Sequence, residues 1–274
     1  MNYEEAQEQE KLYWKTAWSD PSQRSVAEAH WQPFVRLIDR EYPYRREVID
    51  IGCGVYGLGA FLKDRHVYAV DPLADWFVDN FDVNKNVKWV SGSGEKLPFA
   101  DASIDLVICT TTLEHVLHPE MVLAEAYRVL RNRGILFWSE NTSGLVGYYL
   151  KRLHHILGLN SPAELHVFNE RAMIRMLDWF GFQVVEKRKC LVDIAVAADK
   201  TNKVSMMDGF LIKLRSIRQR DGIGEAAKYA LAVWTGGRHY SGDALIIAEK
   251  AKGGEVCPRM SRDTLSILPS LSMS

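Results

Sequence analysis

The chain has 274 residues, of which 47% are hydrophobic and 25% are charged, and this composition fits a globular protein with room for one large α/β domain. Its formal net charge of −1 excludes a global electrostatic attraction to nucleic acid or to an anionic membrane. The four cysteines are scattered and form no C-x-x-C pair, which predicts a reducing compartment and no structural zinc. The N-terminus is acidic and polar, and no apolar run approaches the ~20 residues of a membrane span. We therefore expect a soluble cytoplasmic protein.

The first segment, residues 1–45, is predicted to be helical, with a break at Pro21. Trp14 and Trp18 lie among its apolar positions. These two indoles could form a lid over a bound ligand or belong to an ordinary core, and the sequence does not decide between the two. We therefore describe residues 1–45 as an N-terminal helical lid or extension.

A glycine-rich turn after the first predicted strand is the most informative feature of the sequence. The strand carries Asp50 near its end, and the turn carries Gly52, Gly54 and Gly57. A second apolar run then ends in Asp71. A strand, a turn without side chains, a helix and a second strand ending in an acid form the nucleoside site of an open α/β sheet. The sequence therefore predicts a ligand that contains adenosine.

Strand and helix patterns alternate along the rest of the chain, which predicts a parallel, doubly wound sheet. The tail from residue 253 to residue 274 has no period and is predicted to be disordered. The helices are predicted at 56–62, at 119–131 and from the N-cap Asn169 to Gly181, and the further strands at 86–90, 104–109, 134–140, 182–185 and 244–248.

The spacing of the glycine turn also fits an NAD site, so an NAD-dependent oxidoreductase is one interpretation. Two features favour a different cofactor. Asp50 stands at a strand end that should face the ligand, where it would repel a pyrophosphate but would suit a ligand with an ammonium and a sulfonium group. No Tyr-x-x-x-Lys pair occurs, so a reductase would lack its usual proton donor.

Six separated blocks follow one another in a fixed order, and they are Asp50-Ile-Gly-Cys-Gly54, Val70-Asp-Pro-Leu73, Gly94-Glu-Lys-Leu-Pro-Phe99, Asp105-Leu-Val-Ile-Cys-Thr-Thr-Thr-Leu-Glu-His-Val116, Ala124-Glu-Ala-Tyr-Arg-Val-Leu-Arg131 and Gly134-Ile-Leu136. This series resembles the class I S-adenosylmethionine-dependent methyltransferases, of the type 11 group that acts mostly on small molecules. Agreement of six blocks is far more specific than a single motif. The resemblance covers residues 45–190.

The resemblance implies S-adenosylmethionine as the cofactor and a doubly wound, mostly parallel seven-stranded Rossmann-like sheet with one antiparallel strand and a helical cap. It implies that Asp50 contacts the ammonium group and that Asp71 accepts both ribose hydroxyls. Many relatives carry an aspartate where Ser93 stands, and a serine hydroxyl replaces it only weakly. The implied cofactor-binding set is Asp50, Gly52, Cys53, Gly54, Gly57, Asp71, Pro72, Ser93, Gly94, Glu95 and Thr110.

The domain division that follows has one core and two additions. Residues 46–187 are expected to form the cofactor-binding core, and residues 188–242 a helical insertion that caps the active site. Residues 243–252 are expected to supply the last strand. Within the insertion, apolar residues from Met207 to Ile217 form a helical stripe among basic residues. This stripe could contact a membrane or a lipid-linked acceptor, or it could pack on its own domain.

The acceptor is expected beyond the carboxyl ends of the strands, where open parallel sheets bind their ligands. The loops there are rich in histidine. His115, His166 and His239 are candidates for a general base, which is needed if the acceptor is a protonated hydroxyl or amine. His115 is the best placed of the three, and the alternative is that its ring only packs behind the pocket. No metal site is predicted from these histidines.

Together these features predict a methyltransferase that acts on a small or medium-sized acceptor, through a hydroxyl of a sugar, a glycoconjugate or a natural product. Nucleic acid is disfavoured as a partner because the sequence shows no basic groove with interleaved aromatic residues. The alternatives are an NAD-dependent oxidoreductase and a non-catalytic, methyltransferase-like binding subunit.

Overall fold

The computed structural model describes residues 3–18, 20, 22–142, 165–189 and 243–251. Within these ranges no helix combines the length and the apolar character that a membrane span requires. The helices are α1 (Tyr3–Ala17), α2 (Ser22–Glu41), α3 (Ala74–Asn80), α4 (Pro119–Val129) and α5 (Glu170–Trp179), with a 3-10 turn at Leu58–Phe61. The strands are β1 (Glu47–Ile51), β2 (His66–Asp71), β3 (Lys88–Ser91), β4 (Ile104–Thr110), β5 (Leu130–Asn141), β6 (Phe182–Lys189) and β7 (Asp243–Lys250).

The seven strands form one sheet in the order β3-β2-β1-β4-β5-β7-β6. Strands β1 to β5 pair in parallel, whereas β7 runs antiparallel between β5 and β6. The predicted fold class, a doubly wound and mostly parallel seven-stranded sheet with one antiparallel strand, is confirmed. Strand β6 continues to Lys189, past the predicted start of the helical cap at 188, and the rest of that cap lies outside the described residues.

Both faces of the central strands are covered, as the continuous apolar run of β4 requires. Val107 and Cys109 of β4 are buried in a layer that contains α4 and α5, while Leu106 and Ile108 are buried in a layer that contains α2. Each fully buried aliphatic side chain contributes about 1.5–3 kcal/mol to folding. The sheet is therefore a rigid support for the loops at its carboxyl edge.

An aromatic cluster attaches α1 to the part of the sheet that carries the glycine turn. Trp14 of α1 packs edge-on against Phe77 of α3 with ring centroids 5.4 Å apart, and Trp18 lies 5.9 Å from Tyr56. Aromatic pairs of this kind contribute about 0.5–1.5 kcal/mol beyond the area that they bury. The cluster thus holds α1 beside the turn after β1.

The local predictions around α5 are confirmed, whereas one predicted helix is wrong and one observed helix was not predicted. Asn169 is the N-cap of α5, where its side chain accepts a hydrogen bond from Ala172 N at 2.8 Å, and Gly181 follows the helix with φ +81°. The helix predicted at 56–62 is only the 3-10 turn, because its glycines favour helix poorly. Helix α3 was not predicted, because seven residues are too few to show a helical period.

Candidate active site

The glycine turn after β1 depends on two residues in the left-handed region of backbone conformation. Gly52 has φ +63° and Gly54 has φ +54°, which glycine adopts without steric cost. Space is a second constraint, since a Cβ on Gly52 would lie 2.2 Å from Cγ2 of Thr112. The Gly52 N–H donates to the Val70 carbonyl at 2.8 Å. The turn is therefore fixed between the ends of β2 and β4, and a side chain at position 52 would break this junction.

Asp50 is buried beneath the turn, with 1% of its surface exposed. Its Oδ2 accepts a hydrogen bond from the Gly59 N–H at 2.7 Å, while Oδ1 has no hydrogen-bond partner among the described residues. Burial raises the pKa of Asp50 to about 7, against the opposing effect of the bond from Gly59, and the Asp71 carboxylate adds to the rise. Gly57 is needed for close approach, since a Cβ there would lie 2.6 Å from Oδ2.

Asp71 ends β2 and joins the turn to the beginning of α3. Its Oδ2 accepts from Gly54 N at 3.1 Å and its Oδ1 accepts from Leu73 N at 2.9 Å. Burial raises the pKa of Asp71 to about 6; the two backbone bonds lower it, and the Glu10 carboxylate raises it further. Pro72 follows Asp71 at an exposed position. Asp50 and Asp71 therefore stand on adjacent strands at the same edge of the sheet.

Cys53, inside the turn, is a buried thiol. Burial raises its pKa well above the ordinary value, and the carboxylates of Asp71 and Asp50 raise it further. A thiol with a raised pKa is a poor nucleophile at neutral pH. The position is therefore one where the backbone, and not the sulfur atom, could contact a ligand.

One face of α1 covers the turn. A Cβ on Gly54 would lie 2.5 Å from Cη2 of Trp14, so the indole rests directly on the glycine. Glu10 lies one helical turn before Trp14 on the same face. The Glu10 carboxyl is partly buried, which raises its pKa, and it interacts electrostatically with both His115 and Asp71. Sequence reasoning left Trp14 undecided and did not select Glu10.

The segment after β3 is held against α4 and β1. The Ser93 hydroxyl accepts from Glu95 N at 3.2 Å, and Glu95 Oε1 accepts from His118 N at 2.8 Å, at the beginning of α4. Gly94 packs closely, since a Cβ there would lie 2.5 Å from Cγ2 of Ile51. These contacts bring Ser93, Gly94 and Glu95 to the edge of the sheet that carries Asp50 and Asp71.

The loop after β4 begins at a strained residue. Thr110 was expected just past the fourth strand, but it is the last residue of β4 and is buried. Thr111 has φ +49°, which is unfavourable for a β-branched residue. The Thr112 hydroxyl lies 3.0 Å from the carbonyl oxygens of both Ile51 and Thr110. This loop is therefore fastened to the end of β1.

Of the three candidate histidines, His115 lies on this loop and His166 is hydrogen-bonded to it. His115 has a side chain that is 36% exposed, and its Nε2 lies 3.6 Å from Oε1 of the buried Glu114. The His166 backbone N–H donates to the Glu114 carbonyl at 3.1 Å, and its ring Nε2 donates to the Val116 carbonyl at 2.9 Å. His239 lies outside the described residues.

Glu140, near the end of β5, is a buried acid that sequence reasoning missed. It is 0% exposed, and its Oε1 accepts from Leu113 N at 2.8 Å and from Thr112 N and Trp138 Nε1 at 3.2 Å each. Burial raises the pKa of Glu140 to about 8, with a further rise from the Glu114 carboxylate and a partial reduction from its three donors. The available signal was a glutamate at the carboxyl end of an otherwise apolar strand.

This arrangement matches a known family. Residues 49–138, from β1 to β5, match the family model described as a methyltransferase domain. The segment is a class I methyltransferase domain. Its cofactor is S-adenosylmethionine. In the ranges that the structure describes, no group of three or more His, Cys, Asp or Glu residues could hold a metal ion.

Relatives of the domain differ in what they methylate. The ubiquinone/menaquinone biosynthesis C-methyltransferase UbiE of Rubrivivax gelatinosus is 32% identical over 92 residues, which are 32% of this chain and 37% of that enzyme. The thiol S-methyltransferase TMT1B of Mus musculus is 31% identical over 104 residues, which are 35% of this chain and 43% of that enzyme. The chain therefore aligns with less than half of each of these two relatives.

A solved structure shows the same fold. Phosphoethanolamine N-methyltransferase 2 of Haemonchus contortus, in complex with S-adenosyl-L-methionine, superposes with a TM-score of 0.55 at 13% identity. The superposition covers 81% of this chain and 53% of that one. At this identity the likeness concerns the fold alone.

The residues of the methyltransferase domain fit S-adenosylmethionine. An ammonium group could donate a hydrogen bond to Oδ1 of the buried Asp50, which has no partner among the described residues. The left-handed backbone at Gly52 and Gly54 forms the turn that could contact the methionine end, while Thr112 and Trp14 fill the spaces that Cβ atoms would take. Asp71, at the end of the adjacent strand, could accept ribose hydroxyls in addition to its two backbone donors, because a carboxylate has about four lone-pair sites.

We expect the Asp50→Asn variant to be more stable than the wild type without cofactor and to bind cofactor more weakly. The pKa of Asp50 in the folded protein, about 7, lies above the ordinary 3.8. The wild type should therefore lose stability as the pH rises from about 4 through about 7, and asparagine removes this loss. Thermal melting should show a higher Tm for Asp50→Asn at pH 8 and no gain near pH 4, while calorimetry with S-adenosylhomocysteine should show a Kd raised about tenfold or more.

The matched control for this variant is Asp105→Asn. Hydrogen bonds from Glu47 N, Arg131 and Arg46 N hold the pKa of Asp105 below its ordinary value despite partial burial. Its ionised form therefore stabilises the fold, and Asp105→Asn should lower the Tm at pH 8 without changing the affinity for S-adenosylhomocysteine. Unchanged affinity in Asp50→Asn would contradict the ammonium contact.

Proposed function

We propose that the protein transfers the methyl group of S-adenosylmethionine to a small or medium-sized organic acceptor, through a hydroxyl of a sugar, a glycoconjugate or a natural product. The observation that carries this proposal is the imidazole–carboxylate pair of His115 and Glu114 on the loop after β4, beside the cofactor turn. Such a pair can take a proton from an acceptor. The near-neutral charge of the chain favours a small acceptor over nucleic acid.

Different residues at the carboxyl edge of the sheet would bind different parts of the cofactor. Asp50 would pair with the ammonium group, with the backbone of Gly52, Cys53 and Gly54 along the methionine end, and Thr110 would close that side. Asp71 would accept the ribose hydroxyls. The segment from Ser93 to Glu95 would lie along the adenine, with Glu95 held in place by its bond from His118 N. When bound, the cofactor supplies a methyl group on a positively charged sulfur atom.

His115 would take the proton that the acceptor hydroxyl loses. Its ring is partly exposed at the site, and the buried Glu114 carboxylate, 3.6 Å away, would stabilise the imidazolium that forms. His166 is a weaker candidate, because its Nε2 already donates to the Val116 carbonyl, and a carbonyl oxygen can only accept. We therefore assign His166 to holding the loop.

The nature of the acceptor rests on the site and not on the relatives. One relative is named as a C-methyltransferase of ubiquinone/menaquinone biosynthesis and another as a thiol S-methyltransferase. Loops outside the strands set substrate choice in such folds, and the alignment with these relatives covers less than half of their length. A base beside the methyl donor favours an acceptor that must lose a proton.

We expect the purified protein to move the labelled methyl group of S-adenosylmethionine to members of a defined acceptor panel. The panel contains sugar and phenol hydroxyls, small thiols and quinols, and S-adenosylhomocysteine is measured as the co-product. Thermal melting should rise with S-adenosylhomocysteine and not with NAD. Stabilisation by NAD alone would favour the oxidoreductase, and cofactor binding without turnover on the whole panel would favour a non-catalytic binding subunit. Turnover on thiols alone, or methylation of quinols at carbon alone, would contradict the hydroxyl assignment.

We expect His115→Gln to lower the turnover number by a factor of about 10² or more, because general bases contribute 10²–10⁴-fold to such steps. The affinity for S-adenosylhomocysteine should stay within about threefold of the wild type. The matched control is His118→Gln, because the His118 side chain is exposed and lies 3.1 Å from Glu120. Equal rates in the two variants would show that the His115 ring only packs at the site.

Helix α1 would act as a lid over the cofactor turn. Its Trp14 indole rests on Gly54, and Glu10 lies on the same face toward Asp71 and His115. A lid on this face would exclude water from the methyl group and slow the escape of the cofactor.

We expect Trp14→Leu to release S-adenosylhomocysteine about tenfold faster than the wild type, because the variant loses the ring that covers the turn. Stopped-flow displacement measures the dissociation rate. Leu12→Ala is the matched control on α1, since Leu12 is 66% exposed, and it should change the rate by less than twofold. Slower release in Trp14→Leu would show that the indole obstructs the site.

A further inference from the structure

The loop that carries His115 begins with a backbone conformation that must be held from outside. Thr111 has φ +49°, and its N–H donates to the Ser139 carbonyl at 2.8 Å, which extends the pairing of β4 with β5 into the turn. A non-glycine residue in this region costs about 1–3 kcal/mol and persists only where its surroundings determine it. The loop from Thr111 to Val116 is therefore under strain at its first residue.

Glu140 supplies the contact that holds this turn. One of its oxygens, Oε1, accepts the two successive backbone N–H groups of Thr112 and Leu113 as well as the Trp138 indole N–H. The other oxygen, Oε2, has no hydrogen-bond partner among the described residues, and the residue is 0% exposed. Loss of this carboxyl group would leave two buried amides of the loop without their acceptor, which is costly.

The two amides that Glu140 binds immediately precede the two residues that we assign to the acceptor side of the site. Leu113 N is bound by Glu140, and Glu114 and His115 are the next two residues. The Glu114 carbonyl in turn accepts from Leu165 N at 2.7 Å and from His166 N at 3.1 Å. A shift of the loop at Leu113 would therefore move the imidazole, its carboxylate partner and the adjoining chain together.

We propose that Glu140 is a positioning residue for methyl transfer, which holds the strained loop after β4 so that Glu114 and His115 face the cofactor turn. The proposal rests on the proposed function, because it assigns His115 to the acceptor side. It adds a buried residue that would act through the backbone amides of Thr112 and Leu113 and not through a contact with the cofactor or the acceptor.

The ionisation of Glu140 should make the stability of the protein depend on pH. The described groups that act electrostatically at Glu140 are the Glu114 carboxylate and the Cys109 thiol of β4, whose pKa is raised well above its ordinary value, first by burial. Burial raises the pKa of Glu140 to about 8, so its stabilising effect is complete at low pH and is lost as the pH rises through about 8. Glutamine at this position keeps an acceptor oxygen and cannot ionise.

The fold contains a matched carboxyl group that serves as a control. Asp105 of β4 accepts the two successive N–H groups of Arg46 and Glu47 on its Oδ2, at 3.0 Å each. It makes the same type of contact at the opposite, amino-terminal edge of the sheet. Removal of this group should destabilise the protein without reaching the site.

The experiment compares Glu140→Ala, Glu140→Gln and Asp105→Ala with the wild-type chain, all saturated with S-adenosylhomocysteine. Hydrogen exchange of the peptide 111–117 reports the loop, and the assigned NMR signals of the His115 ring report its environment. We expect Glu140→Ala to lose about tenfold in protection of this peptide and to shift the His115 signals. Asp105→Ala should change neither the protection of the peptide nor the His115 signals. Glu140→Gln should keep both close to those of the wild type. Glu140→Gln should also show a smaller fall in Tm than the wild type as the pH rises from about 4.5 through about 8, while Asp50 and Asp71 keep their own contributions to that fall.

The outcomes separate this proposal from the proposed function. If the wild type fails to bind S-adenosylhomocysteine, the proposed function fails first. If the wild type binds it and Glu140→Ala keeps the loop protection and the His115 signals, Glu140 is not a positioning residue. The same conclusion follows if Asp105→Ala reproduces the losses at the loop. Should Glu140→Ala not fold, a Glu140→Gln variant with altered His115 signals at pH 7 would overturn the proposal, since its acceptor oxygen is retained.

Discussion

Two positions without a Cβ atom allow the rest of the site to assemble. Thr112, from the loop after β4, fills the space beside Gly52, and Trp14, from the N-terminal helix, fills the space beside Gly54. Both glycines also adopt a left-handed conformation. The cofactor turn, the acceptor loop and α1 are therefore packed on one another, and a change at either glycine would reach all three.

The carboxyl edge of the sheet collects acids that the fold would not keep for stability alone. Asp50, Asp71 and Glu140 are buried near the ends of β1, β2 and β5, and burial raises the pKa of each. Ionisation of such groups costs stability at neutral pH. Perturbed acids of this kind concentrate at functional sites, where a ligand or a positioned loop provides the compensation. The cost of ionising these buried acids therefore falls at the edge of the sheet where we propose that methyl transfer takes place.

The two halves of the site differ in how much similarity reveals about them. The proposed cofactor half is built from strand ends and a short turn, and the family model covers it together with the loop of His115. The rest of the proposed acceptor half would be built from further loops, and loops vary in sequence and length while the sheet stays the same. Relatives named for a carbon and for a sulfur acceptor share this domain. The fold and the cofactor follow from similarity, whereas the acceptor must be found by assay.

The sequence by itself determined the sheet, the glycine turn and the pairing of Asp50 with Asp71 at one edge. Those features are local, because strand periods, glycine spacing and the parallel order place them without distant contacts. Only the tertiary structure decided that Trp14 covers Gly54 and that Glu140 clamps the loop of His115. These contacts join residues far apart in the chain, and their geometry depends on side-chain packing that no sequence period encodes.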